Sequence, residues 1–284
     1  MLSAFFVNKQ PPWRIAGLFS WQHFLLVVVV VAYVVALSML LRKRSEKTQK
    51  IVLITIGAVS VFIFFLRWFL GPTNIFEVWE HGFHDREAFL LLPLELCNIG
   101  AFMILFAAIF RQRWMFIYVV YLNIVGSVLA FTILPNEYLV SGGGHMGMWM
   151  FWDFVILHAN IIAVPVAFIS IGWYHPRMRD MLWAIGMLFI TSMIVMGLNF
   201  ALEALGFGGR TRPNYMDVMY PERWLLFGFF YKWIPIPLVW MMVSLLPIFF
   251  VYFLLLSYSL SKVPVAQVPK GNPRSRQRKR TKRE

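Results

Sequence analysis

Seven apolar runs, each near the length of a membrane-crossing helix, constrain this chain more than any other feature. A spanning helix needs about 20 consecutive apolar residues. Hydrophobic residues make up 60% of the chain and charged residues only 14%, whereas soluble domains carry about 25% charged residues. The sequence therefore predicts an all-α, polytopic transmembrane helical bundle of about seven spans, forming a single membrane domain over residues 1–260. The runs are 21–41, 51–70, 89–110, 114–134, 148–172, 181–205 and 234–260.

The positions of the basic residues predict the orientation. Most of the 26 lysines and arginines lie in the first, third and fifth loops and in the C-terminal tail, and loops rich in these residues stay in the cytoplasm. We therefore expect the N-terminus outside, the C-terminus inside, and short cytoplasmic links that only connect helices. No small-residue cleavage site follows the first run, which predicts a retained span.

The tail over residues 261–284 is basic and poor in apolar residues after Val268. Such a composition predicts a disordered cytoplasmic tail resting on anionic lipid headgroups. Because it lacks interleaved aromatic residues, no specific nucleic-acid site is expected. The sequence makes no prediction of the oligomeric state.

Residues 91–98 (LLPLELCN) place several polar groups at the start of an apolar run. Cys97 is the only cysteine, which excludes an internal disulfide and a cysteine-based metal cluster. Counted from a helix start near residue 89, with a bend at Pro93, Cys97 is expected roughly 12–15 Å along the third span. His158 is expected at a similar depth in the fifth span, so a thiol and an imidazole would lie near one another. Such a pair suits nucleophilic catalysis, but a lone cysteine and a lone histidine can equally serve helix packing.

Other polar residues recur at helical spacing inside the runs. Residues three, four or seven positions apart share a face of a helix, and intramembrane carboxylates and amides are often functional. The alternative for each of them is a hydrogen bond between helices. The pairs are Glu95 with Asn98, Asn123 with Ser127, Asp153 with Asn160, and Asn199 with Glu203.

The outer loops are rich in aromatic and titratable residues. His81 and His84 lie among four acidic residues, but a metal site needs three or four convergent ligands and no helical pattern aligns these. We therefore predict no metal and no cofactor, and an interfacial loop instead. A short additional helix is expected at residues 224–231.

Three stretches resemble the YwaF-like family of bacterial integral membrane proteins. They are Leu92-Pro-Leu-Glu-Leu-Cys97; Leu134-Pro-Asn with Trp152-Asp-Phe-Val-Ile-Leu-His158; and Asn214-Tyr-Met216 with Tyr220-Pro221 and Phe230-Tyr-Lys-Trp-Ile-Pro235. That family is similar to a eukaryotic multi-span acyltransferase that remodels phospholipids with a cysteine and a histidine. The resemblance implies a multi-pass protein of the bacterial plasma membrane, with Cys97 as acyl-accepting nucleophile and His158 as base. The bacterial motif usually has histidine at the position of Glu95.

The first functional hypothesis is acyl transfer or hydrolysis on membrane lipids, in the outer half of the bilayer. Asn98, Asn160 or Asn199 would stabilise the oxyanion, and Tyr215 and Trp152 would shape the lipid entrance. The second is a non-enzymatic carrier or lipid-binding scaffold that uses Glu95, Asp153 and Glu203. A sensor or partner-binding subunit is a third class.

Overall fold

A computed structural model describes residues 21–70, 92–132, 149–206, 214–219 and 230–261. Within these residues the chain forms seven long helices and no strand, so the predicted all-α bundle is confirmed. The fourth helix is continuous but changes type: Arg113–Ile117 is α-helical, Tyr118–Asn123 is a π-helix, and Ile124–Thr132 is α-helical again. The helices are α1 (Trp21–Arg42), α2 (Glu46–Leu70), α3 (Leu96–Phe110), α4 (the three pieces above), α5 (Trp149–Ser170), α6 (Met178–Ala204) and α7 (Val239–Ser261).

Five helical segments are long and apolar enough to cross a membrane: Trp21–Arg42, Glu46–Leu66, Arg113–Phe131, Phe151–Ser170 and Met178–Ala204. Two apolar segments are shorter, Leu96–Phe110 and Leu245–Leu256. Large apolar side chains are exposed on the outer helices, including Phe24 on α1 and Leu182 and Trp183 on α6. In a membrane protein such side chains face lipid, so the architecture is that of a polytopic membrane protein. The assignment of its two ends to membrane sides stays a prediction.

The centre of the bundle is α4, flanked by α3 and α5. Residues Val119 to Leu122 of the π-helix are fully buried, because neighbouring helices cover this part of α4. Close approach of α2 and α3 depends on Gly57, where a Cβ atom would lie 2.8 Å from the Cα of Leu105. Small residues at helix contacts are typical of membrane proteins, in which tight packing replaces the hydrophobic effect between helices.

One end of the bundle, here called the linker end, holds the short links at residues 42–46, 110–113 and 170–178. The buried carboxylate of Asp180 accepts hydrogen bonds from Arg113, from the Tyr174 hydroxyl at 2.9 Å and from the backbone N–H of Arg177 at 3.0 Å. Burial, followed by the neighbouring Tyr121 and Asp180, raises the pKa of Tyr174 above its ordinary value. Asp180 thus binds three groups of these links together, and the prediction that the links only connect helices stays a prediction.

A second ion pair supports the same end. Arg111 bonds to Glu46 at the start of α2, and its guanidinium lies 3.6 Å from the ring centroid of Trp173. Arg111 has a left-handed backbone (φ 53°) and closes the C-terminus of α3, its N–H donating to Ala107 O. The linker end is thus stabilised by contacts that join α2, α3, α4 and the α5–α6 link.

The third helix begins later than the sequence predicted. Residues 92–95 form turns, Glu95 has extended geometry (φ −74°, ψ 145°), and α3 begins at Leu96 instead of near residue 89. Pro93 therefore precedes the helix and does not bend it. Cys97 is the second residue of α3, and not 12–15 Å along it. Because Glu95 lies outside the helix, its predicted shared face with Asn98 is also wrong.

Several predictions fall outside the described residues. These are the acidic and histidine-containing loop with His81 and His84, the Leu134-Pro-Asn motif, Tyr220-Pro221, most of the expected helix at 224–231, and the basic tail beyond Ser261.

Candidate functional site

Cys97 lies in the first turn of α3, at the end of the bundle opposite the linker end. Its side chain is half-buried and its thiol is 3.9 Å from Oδ1 of Asn98. The first turn of a helix is one of the places where reactive cysteines are found, and it differs from the mid-helix position that the sequence predicted.

His158 lies in the interior of α5 and is buried. Its Nδ1 is 2.8 Å from the carbonyl oxygen of Phe154. A carbonyl oxygen only accepts, so Nδ1 must carry the proton, and in the neutral ring Nε2 is the nitrogen that can receive one. The ring lies 4.1 Å from that of Phe154 and 5.9 Å from that of Phe131, centroid to centroid. These contacts fix both the tautomer and the orientation of a potential base.

The depths of Cys97 and His158 can be compared along α4. Leu96 packs on Gly126 of α4. Phe116 of α4 packs on Phe168 of the antiparallel helix α5, and His158 lies ten residues before Phe168, so its backbone falls opposite about residue 126 of α4. The similar depth of the two side chains stays a prediction.

A short segment closes this end of the bundle. Residues 214–219, here called the Tyr215 segment, contain a 3-10 turn (Tyr215–Asp217) in which Met216 has a left-handed backbone (φ 58°). Oε2 of Glu95 accepts the N–H of Met216 at 3.1 Å. At the far end of the segment, Val218 O accepts the N–H of Leu238 at 2.7 Å, just before α7. Glu95, the residue before α3, thus binds the Tyr215 segment through its side chain.

Asn199 holds the same segment from α6. Its Nδ2 donates to Tyr215 O at 3.2 Å and its Oδ1 accepts the N–H of Tyr215 at 3.1 Å, so both halves of the amide pair with one backbone residue. The side chain of Tyr215 is 3% exposed, and burial, followed by the nearby Glu95, raises its pKa above the ordinary value. Of the predicted site residues, the structure therefore brings Glu95, Asn199 and Tyr215 together at the Tyr215 segment. Cys97 and Asn98 follow Glu95 in the first turn of α3.

Asn160 does not belong to this group. Its Oδ1 accepts the Tyr33 hydroxyl at 2.9 Å and its Nδ2 donates to Ser60 Oγ at 3.0 Å, while Ser60 in turn donates to Ile56 O. These hydrogen bonds join α1, α2 and α5. Asn160 therefore has the alternative role predicted from the sequence for these polar residues, a hydrogen bond between helices. Asp153 is 1% exposed, near the start of α5.

Two polar residues of α4 occupy a position that the sequence had not linked to catalysis. Asn123 ends the π-helix and its amide lies against Gly100 of α3: a Cβ there would be 2.6 Å from Nδ2. Ser127 follows one turn later, and both side chains are 1% exposed. Their spacing was visible in the sequence, but the glycine that lets the Asn123 amide approach α3 is a feature of packing.

Within the described part of the chain, no three His, Cys, Asp or Glu residues group as a metal site. The Tyr215 segment binds a carboxylate and an amide, from Glu95 and Asn199, and the thiol of Cys97 lies in the first turn of α3. A thiol can serve as the nucleophile of acyl transfer.

Comparison with known proteins gives one match. A family model described as the TMEM164 family matches residues 18–253, which include α1 to α6 and the first part of α7. No match is found among curated proteins, and none among solved structures. The resemblance to YwaF-like proteins and to the eukaryotic acyltransferase stays a prediction.

Proposed function

The chain belongs to the TMEM164 family, a family of transmembrane proteins, and from that premise we propose that it transfers or hydrolyses acyl groups of membrane lipids through Cys97. The observation that carries the proposal is the position of Cys97. It is the single cysteine of the chain, half-buried in the first turn of α3. It lies two residues after Glu95, whose carboxylate accepts the N–H of Met216 in the Tyr215 segment.

The first step is attack of the Cys97 sulfur on the ester carbonyl of a glycerolipid. The thiol proton passes to Nε2 of His158. A carbon–sulfur bond forms, the ester carbon–oxygen bond breaks, and His158 returns the proton to the leaving glycerol oxygen. The product is a thioester on Cys97 and a lysolipid.

The second step reverses these bond changes with a new acceptor. The hydroxyl of a lysolipid gives its proton to His158 and attacks the thioester, and the Cys97 thiolate leaves and is reprotonated. With water as the acceptor, the same step yields a free fatty acid. The acceptor that reaches the thioester therefore decides between transfer and hydrolysis.

Support for a lipid substrate comes from the surroundings of the site. The helices around it expose large apolar side chains to the membrane, so an acyl chain can reach the bundle without leaving the bilayer. The partners expected are thus membrane lipids themselves, and the cell membrane is the expected location.

The test uses the purified full chain in lipid nanodiscs with a phospholipid that carries a labelled acyl chain and an unlabelled lysolipid acceptor. Mass spectrometry follows both the transferred chain and acylation of the protein. We expect Cys97→Ala to abolish the acylated protein, and His158→Ala to slow transfer by about 100-fold or more. His175→Ala, which removes a histidine at the linker end, is the matched control and should transfer as wild type does. If Cys97→Ala transfers at the wild-type rate, the proposal is wrong.

The carrier hypothesis makes the opposite prediction for Glu95. Glu95→Gln keeps an oxygen that can accept the Met216 N–H but removes the negative charge. A carrier that recognises a cation through this carboxylate would lose binding in Glu95→Gln and keep it in Cys97→Ala. Since the Glu95 carboxylate is used to bind the backbone of Met216, we expect acyl transfer to survive Glu95→Gln.

A further inference from the structure

Two side chains at the centre of the bundle have buried hydrogen-bonding atoms without protein partners. Among the described residues, neither Nδ2 nor Oδ1 of Asn123 has a hydrogen-bond partner, and neither does Oγ of Ser127. Each residue is only 1% exposed. Burying polar groups in this way is unfavourable unless another group completes their hydrogen bonds.

Both side chains lie near the depth of Cys97. The amide of Asn123 lies against Gly100, three residues after Cys97 on α3, and Gly126, next to Ser127, is in contact with Leu96, the residue before Cys97. The two helices run antiparallel, so the depth of Cys97 falls between those of Asn123 and Ser127. Because Asn123 and Ser127 are four residues apart, their side chains project from the same face of α4.

The backbone around Asn123 is also unusual. Asn123 is the last residue of the π-helix, and short π-helical segments inside α-helices are frequent at functional sites. Gly100 leaves the space that the amide occupies, since a Cβ there would be 2.6 Å from Nδ2. The amides of Asn160 and Asn199, by contrast, already bind Tyr33 and Ser60 and the backbone of Tyr215.

We propose that Nδ2 of Asn123 and Oγ of Ser127 donate hydrogen bonds to the carbonyl oxygen of the acyl group that Cys97 attacks. This inference rests on the proposed function and specifies its oxyanion site. As the carbon–sulfur bond forms, the carbonyl electron pair moves onto oxygen, which becomes negative and is stabilised by the two donors. When the ester carbon–oxygen bond breaks, the pair returns and the carbonyl of the thioester stays bound to the same donors.

The test observes that carbonyl directly. The full chain in nanodiscs is acylated from a phospholipid with a ¹³C-labelled ester carbonyl, and difference infrared spectroscopy gives the stretching frequency of the thioester. Hydrogen bonds lower this frequency, so we expect it to rise in Ser127→Ala and in Asn123→Leu. Transfer should slow by about 100-fold when the Asn123 donor is lost. Ser127→Ala removes a single oxygen atom and decides the question alone if Asn123→Leu does not yield folded protein.

Ser38→Ala is the matched control, because Ser38 on α1 is also buried with an unpartnered hydroxyl among the described residues but lies towards the linker end. Ser38→Ala should leave the stretching frequency of the thioester and the rate of acyl transfer unchanged. If the thioester forms and its frequency is the same in wild type, Ser127→Ala and Asn123→Leu, the oxyanion assignment fails while acyl transfer stands. If no thioester forms on Cys97 even in wild type, the proposed function fails and this inference with it.

Discussion

The contact between α2 and α3 allows a quantitative prediction for Gly57→Ala. A Cβ at residue 57 would lie 2.8 Å from Cα and 3.1 Å from N of Leu105, whereas carbon atoms pack at about 3.5–4.0 Å. The obstructing atoms belong to the backbone, so no change of side-chain rotamer relieves the clash. The two helices must separate by about 1 Å.

The expected loss of stability follows from two opposing effects. Overpacking of a tight contact costs about 1–3 kcal/mol, and replacing glycine by alanine in a helix returns about 0.5–1 kcal/mol. We therefore expect Gly57→Ala to lower the free energy of unfolding by about 1–2 kcal/mol. Gly186→Ala on α6 is the matched control, because no heavy atom lies within 4 Å of its added Cβ. It should instead raise stability by about 0.5–1 kcal/mol.

The measurement is unfolding by a denaturing detergent in mixed micelles, followed by circular dichroism and by fluorescence of the 12 tryptophans. Gly57→Ala should be less stable than wild type and Gly186→Ala more stable. The free energies of unfolding of the two variants should therefore differ from each other by about 2 kcal/mol. Equal stabilities of Gly57→Ala and Gly186→Ala would refute the argument that α2 and α3 are in backbone contact.

Three further predictions concern polar contacts. Asp180→Asn should lower the free energy of unfolding by about 2 kcal/mol, because the charged acceptor of Arg113 is lost; an unchanged midpoint in the same unfolding assay would contradict this. The raised pKa of Tyr174 means that the unfolded chain loses this proton near pH 10 while the folded protein keeps it. The stabilisation that comes from this raised pKa is therefore complete below about pH 10 and is lost as pH rises further. Tyr174→Phe should reduce the fall in the free energy of unfolding between about pH 9 and 11, and the same pH dependence in wild type and Tyr174→Phe would contradict this. Asn160→Leu and Tyr33→Phe should show a coupling of about 0.6 kcal/mol, up to about 1.7, in a double-mutant cycle, and purely additive effects would mean that their hydrogen bond does not stabilise the bundle.

The sequence predicted the helices well because each apolar run is a local property. The run at 148–172 became α5 (Trp149–Ser170) and the run at 181–205 became α6 (Met178–Ala204). The start of α3 was missed because an apolar run does not reveal where the helix begins. Leu92 and Leu94 belong to the run by composition, but Pro93 and the extended Glu95 lie outside the helix.

The hydrogen-bond partners of polar residues were harder to predict from the sequence than the helices in which those residues lie. Asn160 and Asn199 look alike in the sequence, yet one joins three helices and the other binds the backbone of Tyr215. The difference depends on groups that are distant in sequence, such as Ser60, 100 residues from Asn160. Asp180 precedes the apolar run at 181–205 among basic residues, and its role depends on Arg113 of another helix.

The late start of α3 has a consequence for the membrane around it. Its 15 residues span about 22 Å, whereas the hydrocarbon layer is about 30 Å thick. A helix with this hydrophobic mismatch draws the lipid–water boundary towards itself by local thinning. If Phe110 lies at one boundary, the opposite leaflet is thinned beside Leu96. Ester groups of lipids, which normally lie at the edge of the hydrocarbon, would then be lowered towards Cys97, so the short helix itself would determine where on the protein a lipid presents its ester.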